Sequence, residues 1–220
     1  AFRWTPSGGM QDLGTLGGYD SEANGVSADG SVVVGGARNA SGLPRAFRWT
    51  PSGGMQDLGT LGGNVSWADG VSADGSVVVG VAENASGQGR AFWWTPSGGM
   101  QDLGTLGGNS SEARGVSADG SVVVGVARNA SSQNRAFRWT PSGGIEDLNA
   151  IAIGLTAGSA LWSAYDISPN GRYIVGDGIN AATGRREAWI MDMEVVPEPA
   201  SLLALGVGLA GVMVRRRRAA

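Results

Sequence analysis

Four near-copies of one 45-residue unit fill most of the chain, and this periodicity constrains the fold more than any composition does. "AFRWTPSGGMQDLGTLGG" begins at Ala1 and recurs at Ala46, then returns as "AFWWTPSGGMQDLGTLGG" from Ala91 and "AFRWTPSGGIEDLNAIA" from Ala136. Between the copies stands "GVSADGSVVVG", starting at Gly25, Gly70 and Gly115 and persisting as "DISPNGRYIVG" from Asp166. A unit repeated at fixed period folds as one supersecondary module that buries its apolar face only against its neighbours.

Each period carries four short strand candidates. In "AFRWT", Phe47 and Trp49 alternate with Arg48, the period-two pattern of a pleated strand, and Pro51-Ser52-Gly53-Gly54 ends it. "MQDLG" is a second strand that runs into a Gly62-Gly63 bend, and the stretch around "GVSA" is a third. Asp74-Gly75 then signals a hairpin into the β-branched run "SVVVG". The polar stretch "ENASGQGR" is a loop that returns to the next aromatic strand. Glycine makes up 39 of 220 residues and stays in phase with the repeat, which favours turns over disorder.

The chain is therefore expected to be all-β, and four strands in about 45 residues is the blade of a β-propeller. Residues 1–17 supply the last two strands of a blade, about 19–63, 64–108 and 109–153 three full blades, and about 161–193 the first three strands of another. The N-terminal "MQDLG" then either completes that last blade and closes a ring of four, or the ring is larger and lacks upstream repeats. A β-solenoid with 45-residue coils is the competing architecture. The repeat domain is assigned to residues 1–193.

Composition removes several function classes. The chain has no Cys and no His, which excludes disulfides, thiolate catalysis and Cys-ligated zinc, and removes the commonest general base and metal ligand. Residues 1–199 carry 12 Arg against 19 Asp and Glu, a balance of −7 that disfavours nucleic acid as a partner. The N-terminus "AFRWTPSGG" shows neither an initiator Met nor a secretion signal, so the sequence reads as mature or truncated.

Repeated side chains are first of all parts of a blade. Asp29, Asp74 and Asp119 precede Gly in turns that favour Asp, and one carboxylate per "SADGS" falls far short of calcium's six to eight oxygens. Asp12, Asp57, Asp102 and Asp147 recur beside Leu, and identical settings do not make the unlike pair a glycosidase needs. No catalytic residue, cofactor or metal site is assigned. Asn39, Ala40 and Ser41, with their counterparts at 84–86 and 129–131, match a glycosylation acceptor pattern but read as polar loops. The unrepeated residues say more: Tyr19, Trp67 and Trp93 replace small or charged residues and are the candidate ligand contacts. The apolar insertion Ala150 to Trp162 either covers the edge of the array or lines a groove.

The tail has its own organisation. Val196, Pro197, Glu198 and Pro199 lie in a linker at 194–199, followed by an apolar run at 200–214 and by Arg215, Arg216, Arg217 and Arg218 in a basic tail at 215–220. The run is expected to form a short transmembrane helix; 15 residues at 1.5 Å rise span about 22 Å, short of a roughly 30 Å hydrocarbon core. Arginines snorkel and stay on the cytoplasmic side. The prolines keep the preceding segment extended and accessible.

The Ala-Phe-x-Trp strand, the Asp-Leu-Gly-Thr-Leu-Gly-Gly segment and the Val-Ser-x-Asp-Gly-x-x-Val-Val-Gly hairpin together resemble the HAF family of extracellular repeats. The resemblance covers about residues 1–193 and departs where the family's His-Ala-Phe is Arg-Ala-Phe, at Arg45, Arg90 and Arg135. It implies an extracellular, propeller-like module and supplies no activity. The tail resembles the PEP-CTERM sorting signal, which implies recognition and cleavage near Pro-Glu-Pro by an exosortase, a membrane protease. A permanent anchor is the plain alternative.

The expected function is a non-enzymatic, exported cell-surface or matrix protein. It is held transiently at the inner membrane and binds exopolysaccharide or protein. An extracellular polysaccharide hydrolase using Asp and Glu, and a ligand-free spacer, are the alternatives.

Overall fold

A computed structural model describes residues 1–195. Its strands form separate antiparallel sheets, each an up-and-down meander in chain order. β1 (Phe2–Thr5) and β2 (Gly9–Asp12) make a two-stranded sheet. Three complete sheets follow: β3 (Gly17–Val26), β4 (Val33–Asn39), β5 (Pro44–Thr50) and β6 (Gly54–Asp57); β7 (Gly62–Val71), β8 (Val78–Asn84), β9 (Gly89–Thr95) and β10 (Gly99–Asp102); β11 (Gly107–Val116), β12 (Val123–Asn129), β13 (Asn134–Thr140) and β14 (Gly144–Asp147). A short helix α1 (Leu148–Ile151) leads to the last sheet, β15 (Ala160–Ile167), β16 (Tyr173–Asn180) and β17 (Arg185–Asp192). This is the blade grouping that the repeat implies. A solenoid would pair strands of successive coils, whereas here every strand pairs within its own period.

Two expectations are corrected. The first strand of each blade is not centred on "GVSA" but lies upstream, ending at Val26, Val71 and Val116, because two irregularities let the glycine- and serine-rich stretch join the ladder. "SADGS" is then all turn: Gly75 donates its N–H to Ser72 O at 3.0 Å with φ +72°, a conformation that favours glycine. Nor does the N-terminal "MQDLG" close a ring of four. β2 pairs with β1, the last sheet keeps three strands, and the sheets form no closed circle among the described residues. Among these residues no helix is long and apolar enough to cross a membrane. The expected transmembrane run at 200–214 lies outside them.

The inner strands of the complete sheets carry apolar residues on both faces, and adjacent sheets bury them. Val34, Ala46 and Leu58 of one sheet meet Ala68, Val78, Phe92 and Trp94 of the next. The layer recurs as Val79, Ala91 and Leu103 against Ala113, Val123, Phe137 and Trp139. It ends as Val124, Ala136 and Leu148 against Leu161, Ala164, Ile167 and Ile174. Burying each such large side chain stabilises by about 1.5–3 kcal/mol, so these layers carry the fold. The pattern also shows what a missing neighbour does: Phe47 and Trp49 are 0% and 4% exposed, while their counterparts Phe2 and Trp4 are 61% and 63% exposed.

Backbone polarity is satisfied across the same joints. The turns link in series, Ala28 N–H to Ala73 O, Ala73 N–H to Ala118 O and Ala118 N–H to Pro169 O, all at 2.9–3.0 Å. Midway along β7 and β11 a buried serine joins two sheets. Ser66 Oγ accepts from Ala46 N–H at 2.9 Å and donates to Gly59 O at 2.6 Å, and Ser111 does the same with Ala91 and Gly104. Before the last sheet Asn149 takes this role, donating to Leu161 O and accepting from Leu161 N–H. The glycine ending each "VVVG" is a close approach: a Cβ at Gly80 would lie 2.0 Å from the carbonyl oxygen of Trp67.

Candidate functional site

The repeated carboxylates are committed to turns. Asp29 Oδ1 accepts from Ser27 Oγ, Ser31 N–H and Ser31 Oγ at 2.7–2.9 Å, and these bonds hold its pKa down to about 2. Asp74 and Asp119 are held down in the same way by Ser72 and Ser117 first. Asp57 and Asp102 each accept from the N–H of a glycine two residues on, at 2.8 and 2.7 Å, and Asp147 caps α1 by accepting from Asn149 N–H. The turn geometry explains why these residues recur.

Of the three aromatic candidates, Trp93 is placed inside a joint. Its indole lies 5.8 Å from that of Trp139, and its Nε1–H donates to Gly120 O at 3.2 Å. Arg48 donates Nε–H to Gly75 O at 3.0 Å from the equivalent register position. Trp93 thus performs with an indole what Arg48 does with a guanidinium.

Trp67 and Tyr19, 48 positions apart in sequence, are linked through Arg38, which lines a cleft with Trp67 and stacks on the Tyr19 ring. Trp67 lies over Gly36 of the preceding sheet so closely that a Cβ there would sit 2.0 Å from the ring. Beside it opens a cleft of about 250 Å³ lined by Asp20, Ser21, Glu22, Gly36, Ala37, Arg38 and Trp67. Arg38 is ion-paired to Asp20 at 3.3 Å, donates to Gly42 O at 2.7 Å, and stacks its guanidinium 5.2 Å from the centre of the Tyr19 ring. Asp20, Glu22, Gly36 and Arg38 were not singled out from sequence. The available signal was Gly36 itself, which stands where the other complete repeats have Val81 and Val126.

A second unrepeated set occupies one register position of the first strands, at the irregularity before Gly25, Gly70, Gly115 and Asp166: Asn24, Asp69, Arg114 and Tyr165. Asn24 donates to Ala68 O of the next sheet at 3.0 Å. Arg114 binds Glu112 at 2.8 Å and stacks on the Tyr165 ring of the last sheet at 5.1 Å. Tyr165 donates to Asp177 Oδ1 at 2.7 Å, and Arg186 pairs with the same carboxylate. Burial alone would raise Asp177, but the hydrogen bonds from Arg186 and Tyr165 outweigh it and lower its pKa. Asp69 is pushed the other way, up to about 6, by burial and then by the charge of Glu112, with Arg114 opposing.

The insertion at 150–162 forms the end of α1, the loop to β15 and the first residues of that strand. Ile151 and Ala152 pack on the last joint, and the loop lines a cleft of about 300 Å³ with Ile153, Leu155, Leu161, Trp189 and Met191. It therefore both covers the joint and borders a groove. Val196, Pro197, Glu198, Pro199 and Arg215 to Arg218 lie outside the described residues.

Residues 195–218 match the PEP-CTERM protein-sorting motif, which marks the chain as an exported protein addressed to an exosortase for sorting to the cell surface. A search of the curated proteins finds no match. Among solved structures the chain resembles a TolB of Agrobacterium tumefaciens (TM-score 0.55, 18% identity, 80% of this chain and 59% of that one). It resembles TolB of Acinetobacter baumannii to the same degree (TM-score 0.55, 18% identity, 85% and 44%). A prolyl endopeptidase structure matches over 87% of this chain and 29% of its own, with TM-score 0.55 and 13% identity. The chain thus spans about half the length of these TolB proteins, and what it shares with all three is a β-propeller-like fold.

Proposed function

We propose that this is a non-enzymatic surface or matrix module of a bacterial cell, cut near Pro197-Glu198-Pro199 by an exosortase and binding polysaccharide or protein on its blades. The observation that carries the reading is the sorting motif at 195–218 joined to a repeat array. Such an array presents a long surface whose frame is fixed by repeated residues, while unrepeated ones are free to vary. The commitment of the repeated aspartates to turns supports a binding rather than a hydrolytic role.

Two measurements test this on protein recovered from the native host. Mass spectrometry of the C-terminal peptide should find most molecules ending before Arg215; retention of Arg215 to Arg218 in most molecules would make the tail a permanent anchor. Co-sedimentation with the host's exopolysaccharide should be saturable, and its absence with folded protein would favour a protein partner or a spacer.

One observation favours a second reading. Asp69, raised to about 6, and Glu112, paired to Arg114, are carboxylates in unlike settings, as a polysaccharide hydrolase needs. Turnover of a glycan that is lost in Asp69→Asn and kept in Asp57→Asn would establish that reading.

A further inference from the structure

We infer that the cleft between the first two complete sheets, lined by Trp67, Asp20, Glu22 and Arg38, is a subsite for one neutral or N-acetylated pyranose unit of a glycan chain. The inference rests on the polysaccharide-binding reading and names the place where it happens. Its parts come from one joint and from residues that do not repeat.

The joint has been rebuilt around an indole. Position 36 is Gly where the other complete repeats carry Val81 and Val126, and position 67 is Trp where the register partners elsewhere are Glu22, Glu112 and Ser163. The two changes belong together, since a Cβ at Gly36 would collide with the Trp67 ring at 2.0 Å. Removal of a valine has admitted a flat aromatic wall that remains half-buried and borders a cleft of about 250 Å³. An indole face takes the C–H face of a pyranose, because the ring is apolar there and its π cloud meets polarised C–H bonds.

The rest of the lining supplies the polar partners that a sugar's hydroxyls need. Asp20 and Glu22 accept hydrogen bonds, and Arg38 is fixed by Asp20 at 3.3 Å and by Gly42 O at 2.7 Å. The Tyr19 ring, which is not part of the cleft lining, stacks on the guanidinium at 5.2 Å. Carboxylates and a positioned guanidinium make directional bonds to vicinal hydroxyls, and ion pairing leaves lone pairs and N–H groups for them. Two carboxylates against one guanidinium leave the cleft with a net negative charge, which disfavours uronates.

The test titrates the full chain in mild detergent with cellohexaose, chitohexaose and hexagalacturonate, read by tryptophan fluorescence and saturation-transfer NMR. At least one of the first two hexamers should bind saturably, and hexagalacturonate about tenfold or more weakly. The double variant G36V/W67S restores the valine of the other joints and replaces the indole by the hydroxyl found at Ser163, so its thermal melt should remain cooperative. Its affinity should fall by at least about tenfold, the loss of one stacked ring. Equal binding by this variant, or binding of neither neutral hexamer by the parent protein, overturns the inference. If the variant still co-sediments with the host exopolysaccharide as the parent does, the subsite fails while the broader binding reading stands. If the parent does not co-sediment, the broader reading itself fails.

Discussion

At the residue scale the repeat makes its own controls, because one register position carries a different side chain in each sheet. Asp69 is the clearest instance: Asn24 and Arg114 stand in its place elsewhere, and only Asp69 sits in a setting that disfavours its charge. Its folded pKa, about 6, lies above its ordinary 3.8, so between these values the folded chain binds more protons than the unfolded one. Stability therefore falls as pH rises from about 4 to about 6, and the loss persists above. After discounting for partial exposure the contribution is about 1–2 kcal/mol. Asp69→Asn should flatten this part of the stability profile and melt higher than the parent at pH 7, as thermal melts from pH 4 to 8 would show. A profile unchanged by the substitution would mean that Asp69 is ionised without penalty. Asp74 opposes it, since its depressed pKa gives stability that is lost only as pH falls from about 4 toward 2.

At the scale of the element, the joint between sheets is the unit that matters, and a single hydroxyl shows how it is built. Ser66→Ala leaves the buried Ala46 N–H without its acceptor and frees the Gly59 carbonyl, which should cost about 1–3 kcal/mol and lower the melting temperature. The exposed Ser86→Ala, whose N–H bond to Asn84 survives the change, should leave the melt unaltered. The sequence exposed the strands readily, since Phe47 and Trp49 alternate with Arg48 and turn chemistry brackets them. It concealed the first strand of each sheet, because a stretch such as "GGNVSWADG" has too many small and polar residues to read as a strand. Its pairing is secured by irregular ladders and by Ser66, neither of which has a periodic signature. The cleft was legible only in part. Trp67 and Tyr19 stand out as unrepeated aromatics, but their meeting across Arg38 depends on the packing of one sheet on the next, and Gly36 looks like one glycine among 39.

At the scale of the whole molecule, stability in such an array is a sum over joints, so removing one repeat tests whether the joints are interchangeable. Deleting residues 64–108 brings the sheet β3–β6 against β11–β14. The incoming face is chemically matched, since Val123, Phe137 and Trp139 replace Val78, Phe92 and Trp94, and Ser111 replaces Ser66. The mismatch is at Gly36, which loses the Trp67 ring and meets Glu112 in its place. Deleting residues 109–153 has a different consequence. It removes Asn149 and α1, whose hydrogen bonds to Leu161 start the last sheet, and it leaves Arg114 no longer present to stack on Tyr165. The first deletion should therefore give a cooperative melt a few degrees below the parent, from the cavity beside Gly36. The second should give a broad melt in which the last sheet is lost early, with β15–β17 amides exchanging faster than those of β3–β6. Equal melts for the two deletions would mean that any sheet docks on any other, and that Asn149, α1 and the Arg114–Tyr165 stack contribute nothing specific to the last joint.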